Sequence, residues 1–223
     1  HMRKIKFTQD SYYHIYNRGV EKRQIFLDNE DHFRFLHDLY EFNDEETAEN
    51  IYYRKIYEIV SHKIQRPLIE INAFCLMPNH FHLIATQKQD GGISNFMRKL
   101  GIGYSMYFNK KYERVGSLFQ GRFKAIIIDK NEHLSYLHYY IHLNPLDLIE
   151  PTWKENKFQD LNKAIGFLES YRWSSYLDYI GKKNFPSLIH KEFLSGFTGR
   201  PEDYRKDIIE WLQSKNLGNI HPI

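Results

Sequence analysis

The sequence predicts an α+β fold, a mainly antiparallel sheet with helices packed on one face. Three observations predict it. Apolar residues switch between period 2 and period 3.6 in the order strand, helix, strand, strand, helix, strand, helix. The second and third strands are parted by only Pro78-Asn79, a turn short enough to force an antiparallel hairpin. The 223 residues are 42% hydrophobic and 16% aromatic with a net charge of only +3, so the chain can fill a core and lacks the signature of disorder.

Tyr12 to Asn17 is aromatic and partly β-branched and is closed by Arg18-Gly19, which reads as the first strand. Between Asp28 and Phe42, the residues Phe33, Leu36, Leu39 and Tyr40 recur at helical spacing. The polar run 43–50 follows, then Tyr52, Ile56, Ile59 and Val60 suggest a short helix that Pro67 ends. Leu68 to Met77 reads as the second strand and His80 to Thr86 as the third. Ile93 to Phe108 carries a helical stripe with a kink expected at Gly101 and Gly103. Arg122 to Asp129 reads as the fourth strand. A helix from Glu132 to Leu143 is limited by Pro145, because a residue before proline is pushed out of the helical region. Ala164 to Tyr179 and Pro201 to Leu212 are expected to be helical.

Cys75 is the single cysteine, so no disulfide forms within the chain, and a reducing, cytoplasmic setting is expected. No apolar run reaches the length of a membrane span. His1-Met2 reads as a cloning scar. Basic residues gather between Arg98 and Lys124, while acids cluster at 44–49, which points to a local phosphate-binding face.

Met77-Pro78-Asn79-His80-Phe81-His82-Leu83-Ile84 carries the strongest chemical signal. Alternate residues of a strand share a face, so His80 and His82 point together while Phe81 and Leu83 point to the core. A pair of imidazoles on a rigid strand suits a divalent cation with positions open for phosphate. With 12 histidines in the chain, His-x-His also arises by chance. It needs a further ligand and a chemical partner. The segment Tyr136-Leu137-His138-Tyr139-Tyr140-Ile141-His142-Leu143-Asn144-Pro145 offers both. Positions four apart align on a helix, so Tyr136, Tyr140 and Asn144 form one row. Asn144 is a candidate third ligand through its carbonyl oxygen, with Tyr140 one turn away as candidate nucleophile. Tyr139 is adjacent, and the choice between them rests on the spacing to Asn144-Pro145.

Together, in this order, these segments resemble the single-tyrosine HUH transposases of insertion-sequence type, in the REP-associated branch. His80-Phe81-His82 fits the histidine, hydrophobic, histidine signature, and Met77-Pro78-Asn79 fits its flank. Tyr16-Asn17-Arg18-Gly19, Phe119-Gln120-Gly121-Arg122-Phe123, Tyr140-Ile141-His142-Leu143-Asn144-Pro145 and Trp173-Ser174-Ser175-Tyr176 also fit. The resemblance covers roughly residues 12 to 180. It implies a ferredoxin-like sheet, Mg²⁺ or Mn²⁺ held by His80, His82 and Asn144, and a catalytic Tyr140 that cleaves single-stranded DNA. The product is a 5′-phosphotyrosine with a free 3′ hydroxyl, and the partners are single-stranded DNA and DNA hairpins, with the protein a monomer or homodimer. It also sets the expected organisation: a domain over residues 3–180, a helical insertion over 43–66 and a C-terminal helical extension over 181–223. Arg18, Arg98, Lys99, Lys110, Lys111, Arg122 and Lys124 are the candidate DNA-binding residues. The competing readings are a domesticated binder that no longer cuts, which would show a lost ligand or tyrosine, and a hydrolase, which would need a carboxylate beside the pair.

Overall fold

The computed structural model describes residues 5–9, 11–45, 66–128, 131–155, 160–190 and 199–214, and within these not the side chains of 131–133 and 135. The elements are β1 (Tyr12–Arg18), α1 (Asn29–Glu41), β2 (Ile69–Met77), β3 (His80–Gln87), α2 (Gly92–Lys111), β4 (Lys124–Ile128), α3 (Asn131–Leu143), α4 (Leu161–Ser170), α5 (Tyr176–Tyr179) and α6 (Pro201–Gln213). The sheet order is β2-β3-β1-β4, with every neighbour antiparallel. Together with α1 between β1 and β2 and α2 between β3 and β4, this is the split βαβ arrangement of a ferredoxin-like core.

Side-chain alternation assigns the two faces. Phe81 and Leu83 of β3, with Tyr13 and Ile15 of β1, turn to α1 and α2 and are almost fully buried. Phe81 packs against Phe35 of α1 with ring centroids 5.0 Å apart, and Phe35 meets Tyr104 of α2 edge-on at 4.9 Å. The opposite face carries His80 and His82 of β3, His14 and Tyr16 of β1 and Lys124 of β4, which the register aligns. Here lies α3, with its Tyr140 ring edge-on to His82. The expectation of helices on one face therefore holds for α1 and α2 and fails for α3. Among the described residues no strand follows α3 to carry the chain back across the sheet, so the helix is free to cover the remaining face.

Asp28 caps α1 and forms a capping box with Asp31. Lys111, in the last turn of α2, ties the start of α1 to the end of α2: its ammonium lies 2.8 Å from Asp28, 3.0 Å from Glu30 and 3.0 Å from Asp31. Each charge complements the dipole of its own helix. α2 runs as one continuous helix through Gly101 and Gly103. Gly103 is a contact residue, since a Cβ there would clash with the Phe42 ring. Helix over Ala164 to Tyr179 is broken into α4 and α5 by the turn at Arg172-Trp173. The short helix expected around Tyr52 to Val60, and most of the 43–66 insertion, lie outside the described residues. The ends of that segment meet, with Glu45 N–H donating to Arg66 O at 2.9 Å.

The outer edge of β2 is covered by chain from beyond α4. Leu76 N–H donates to Trp173 O, Ser175 N–H to Phe74 O and His190 N–H to Ile71 O, all at 2.8 to 3.0 Å. A bulge interrupts β2 between Ile71 and Ala73, so Asn72 has no partner residue in β3. Tyr204, Ile208 and Leu212 are the buried stripe of α6. Tyr139 of α3 meets this helix through Tyr204 at 5.5 Å and Trp211 at 6.2 Å between centroids. Among the described residues no helix is long and apolar enough to cross a membrane.

Candidate active site

Where β1, β3 and α3 converge, a cleft of about 310 Å³ is lined by Tyr16, Asn17, Arg18, His80, His82, Gln120, Arg122, Lys124, Tyr140, Asn144, Asp147 and Lys154. The strand periodicity that predicted His80 and His82 on one face brings them together, with rings 4.9 Å apart and nearly perpendicular.

Hydrogen bonding orients both imidazoles. His80 Nδ1 lies 2.6 Å from Asn79 Oδ1. The Asn79 amide nitrogen donates to Lys22 O at 3.2 Å, which fixes the amide with its oxygen toward the imidazole. A carboxamide oxygen only accepts, so His80 carries its proton on Nδ1 and leaves the Nε2 lone pair open. His82 Nδ1 lies 2.8 Å from His14 Nε2, and with His82 as the donor of that bond its Nε2 is open as well. This is the arrangement by which metal-ligating histidines are held from behind. Burial lowers the His80 pKa to about 4, aided by Arg18 and Lys154 and opposed by Asp147. His82 is pushed well below its ordinary value, by burial first and then by His14 and His80. Both are neutral at physiological pH, the form in which imidazole binds metals.

α3 brings its row to the same cleft. Tyr140 is 5% exposed, and its ring lies 6.2 Å from that of His82. Asn144, one turn on, donates from Nδ2 to Tyr140 O at 2.9 Å, so its oxygen is the atom left to coordinate. Tyr139, the neighbour, points away, with its hydroxyl 3.3 Å from Asp207 on α6. Burial raises the Tyr140 pKa, and the Asp147 charge raises it further. Among the described residues no group of three His, Cys, Asp or Glu side chains forms a metal cage by itself. His80, His82, Asn144 and Asp147 line one cleft, and two imidazoles with the Asn144 amide are a nitrogen and oxygen set of the kind that suits a divalent cation with open positions.

Several cleft residues escaped the sequence reading. Asp147 sits three residues after Asn144 in a 3₁₀ turn begun by Asn144-Pro145, and residues three apart eclipse in such a turn. That spacing was a usable signal. Asp147 accepts from Trp153 Nε1 at 2.6 Å and pairs with Lys154 at 3.0 Å, and the Lys154 ammonium stands 5.4 Å from the centre of the Tyr140 ring. Tyr16 reaches the cleft, and His14 its place behind His82, through the pairing of β1 with β3.

The candidate DNA-binding residues separate. Arg18, Arg122 and Lys124 line the cleft. Arg122 precedes β4 rather than belonging to it. Arg98 lines an adjoining groove of about 590 Å³, which shares Asn17 and Arg122 with the cleft. Lys99 donates to Asp44 O at 2.5 Å, and Lys111 is engaged by the carboxylates of α1. Lys110 is exposed at the end of α2 and lines neither cavity.

The family described as "Transposase IS200 like" matches residues 8–144. No curated protein matches the chain. Among solved structures, that of a REP-associated tyrosine transposase bound to a REP hairpin is similar, with a TM-score of 0.51 and 15% identity over 83% of this chain and 88% of that one. At this identity the likeness is one of fold.

Proposed function

We propose that this chain, which belongs to the family of IS200-like transposases, cuts and rejoins single-stranded DNA through a covalent bond to Tyr140. The observation that carries the proposal is the cleft itself, where a tyrosine, two oriented neutral imidazoles and an amide meet under a rim of cations.

Tyr140 gives up its phenol proton, and its Oη forms a bond to phosphorus as the bond from phosphorus to the 3′ oxygen breaks. The 3′ oxygen leaves and gains a proton, and the 5′ phosphate stays on the tyrosine. The phosphotyrosine preserves the energy of the phosphodiester, so a 3′ hydroxyl attacking it restores a continuous strand. His80, His82 and Asn144 are the residues that would hold a divalent cation, Mg²⁺ or Mn²⁺, with Asp147 beside them. Bound there, such an ion polarises the scissile phosphate and favours the phenolate over the phenol. This chemistry answers an otherwise adverse setting, since burial and Asp147 favour the protonated tyrosine.

Arg18, Arg122 and Lys124 offer charge to the backbone of the strand. Tyr16, with Lys124 5.9 Å from its ring centre, offers a surface for an unpaired base. The similar solved structure holds a REP hairpin, and we extend hairpin recognition to this chain. We also propose that residues 3–180 form the catalytic unit. α6 of the extension is seated on its tyrosine helix.

The test is a labelled single-stranded hairpin oligonucleotide incubated with the protein and Mn²⁺, then resolved on a denaturing gel. A covalent adduct is expected, lost in Tyr140→Phe and in His80→Ala and kept in Tyr139→Phe. An adduct that survives Tyr140→Phe sinks the assignment. Binding without any adduct across several oligonucleotides favours a domesticated binder.

A further inference from the structure

We propose that Tyr204 of α6, with His138 and His142 of α3, is a positioning device for the nucleophile helix, a one-way chain of hydrogen bonds that seats α3 against β2. For its catalytic consequence the inference rests on Tyr140 as nucleophile.

The observations lie behind the cleft, on the side of α3 away from His82. His138 and His142 are fully buried. The Tyr204 hydroxyl lies between them, 3.0 Å from His138 Nδ1 and 2.6 Å from His142 Nδ1. On their other edges, His138 Nε2 lies 2.7 Å from the Tyr179 hydroxyl and His142 Nε2 lies 2.7 Å from Ser175 Oγ. Both ends of the chain are anchored on the backbone of β2. Tyr179 donates to Asn72 O at 2.6 Å, and Phe74 N–H donates to Ser175 Oγ at 2.9 Å. The bulge in β2 is what turns Asn72 out of the ladder toward Tyr179.

Counting protons fixes the direction of every bond. Both rings are fully buried and meet a hydroxyl group at each nitrogen, so each is neutral with one N–H. The Tyr179 proton goes to Asn72 O, a carbonyl that only accepts, so Tyr179 accepts from His138 Nε2–H. His138 Nδ1 is then bare and accepts the Tyr204 proton. Tyr204, its proton committed, accepts from His142 Nδ1–H. His142 Nε2 is bare in turn and, at 2.7 Å, accepts the Ser175 proton in preference to Phe74 O at 3.2 Å. The two histidines must be opposite tautomers, and no group can be turned round without stranding another in the interior.

His138 and His142 flank Tyr140 in sequence. The chain therefore sets the depth and rotation of the helix turn that presents Tyr140 and Asn144. Tyr204, Tyr179 and Ser175 all lie beyond residue 144, where the family match ends. α6 thus takes part in placing the catalytic residues.

Two measurements on the full chain test this. With ¹⁵N-labelled histidine, long-range proton–nitrogen spectra are expected to show His142 protonated on Nδ1 and His138 on Nε2. The same tautomer at both, or the reverse pair, overturns the chain. Second, Tyr204→Phe deletes only the shared hydroxyl. The rate constant of adduct formation on a hairpin oligonucleotide with Mn²⁺ is expected to fall about 10- to 100-fold, as for a small misplacement of a reacting group. The final fraction of protein in adduct and the oligonucleotide Kd are expected to stay within about twofold. A purely structural role lowers that fraction in step with folding and leaves the rate constant alone, which overturns the proposal. Should Tyr204→Phe fail to fold, Tyr179→Phe applies the same split at the other end of the chain. A wild-type protein that forms no adduct removes the role of Tyr140, while the tautomer pair still decides the hydrogen-bond chain.

Discussion

One strand, β3, builds two unlike surfaces. Phe81 and Leu83 face α1 and α2 among aromatic rings, where contact and burial alone set the energy. His80 and His82, interleaved with them, face α3, where each ring is held by a named polar partner. The comparison teaches how a reactive site acquires rigidity. The apolar side clamps the backbone, and the clamped backbone holds the imidazoles on the other side without any loop. Mutations on the two sides should consequently fail in different ways, the apolar side losing stability and the polar side losing chemistry.

The sharpest break comes from Tyr140→Phe, which is expected to abolish adduct formation, a loss of at least about 10³-fold on a denaturing gel, while circular dichroism and the melting temperature stay near wild type. Phe81→Ala, one residue from each histidine, is expected to cost about 3 to 5 kcal/mol by chemical denaturation. Its adduct yield should fall only as far as its folded fraction does. A variant that stays stable yet loses the reaction would erase the distinction between the two sides. Asn79→Ala tests the backing of His80. Loss of a partner behind a metal-ligating histidine typically costs about 10- to 100-fold in metal affinity, so Mn²⁺ titration of adduct formation should shift by that factor with the maximum rate recoverable. Smallest is Lys124→Ala at the rim. It is expected to weaken oligonucleotide binding about equally for all sequences and to reduce the slope of log affinity against log salt by about 1. An unchanged slope removes Lys124 from the DNA face.

The same comparison explains what the sequence disclosed. Strands and helices were legible because their periods are local, and β1, β2 and β3 lie within a residue or so of where alternation put them. His80 with His82, and Tyr140 with Asn144, were legible for the same reason, since each pair lies within one strand or one helix turn. Tyr16, which lines the cleft, and His14, which backs His82, were not, because a register between strands some 68 residues apart brings them there. The ion pairing of Lys111 was not legible either, because its partner Asp28 stands 83 residues away, and only the packing of α1 on α2 brings that carboxylate to it. The Tyr204 chain was invisible for a similar reason. A tyrosine at helical spacing reads as packing until two histidines from another helix meet its hydroxyl.

The covered edge of β2 has a consequence for the company this protein keeps. A strand at the border of a sheet is an open template on which another chain can lay a strand of its own. Here the segment Trp173 to Ser175, with His190 further on, takes up hydrogen-bonding groups along that border. A chain cut short before Trp173 would expose a nine-residue, largely apolar strand, Ile69–Met77, along its whole outer side. Its fate would be self-association through that strand, so residues that carry none of the chemistry keep one molecule from sticking to the next.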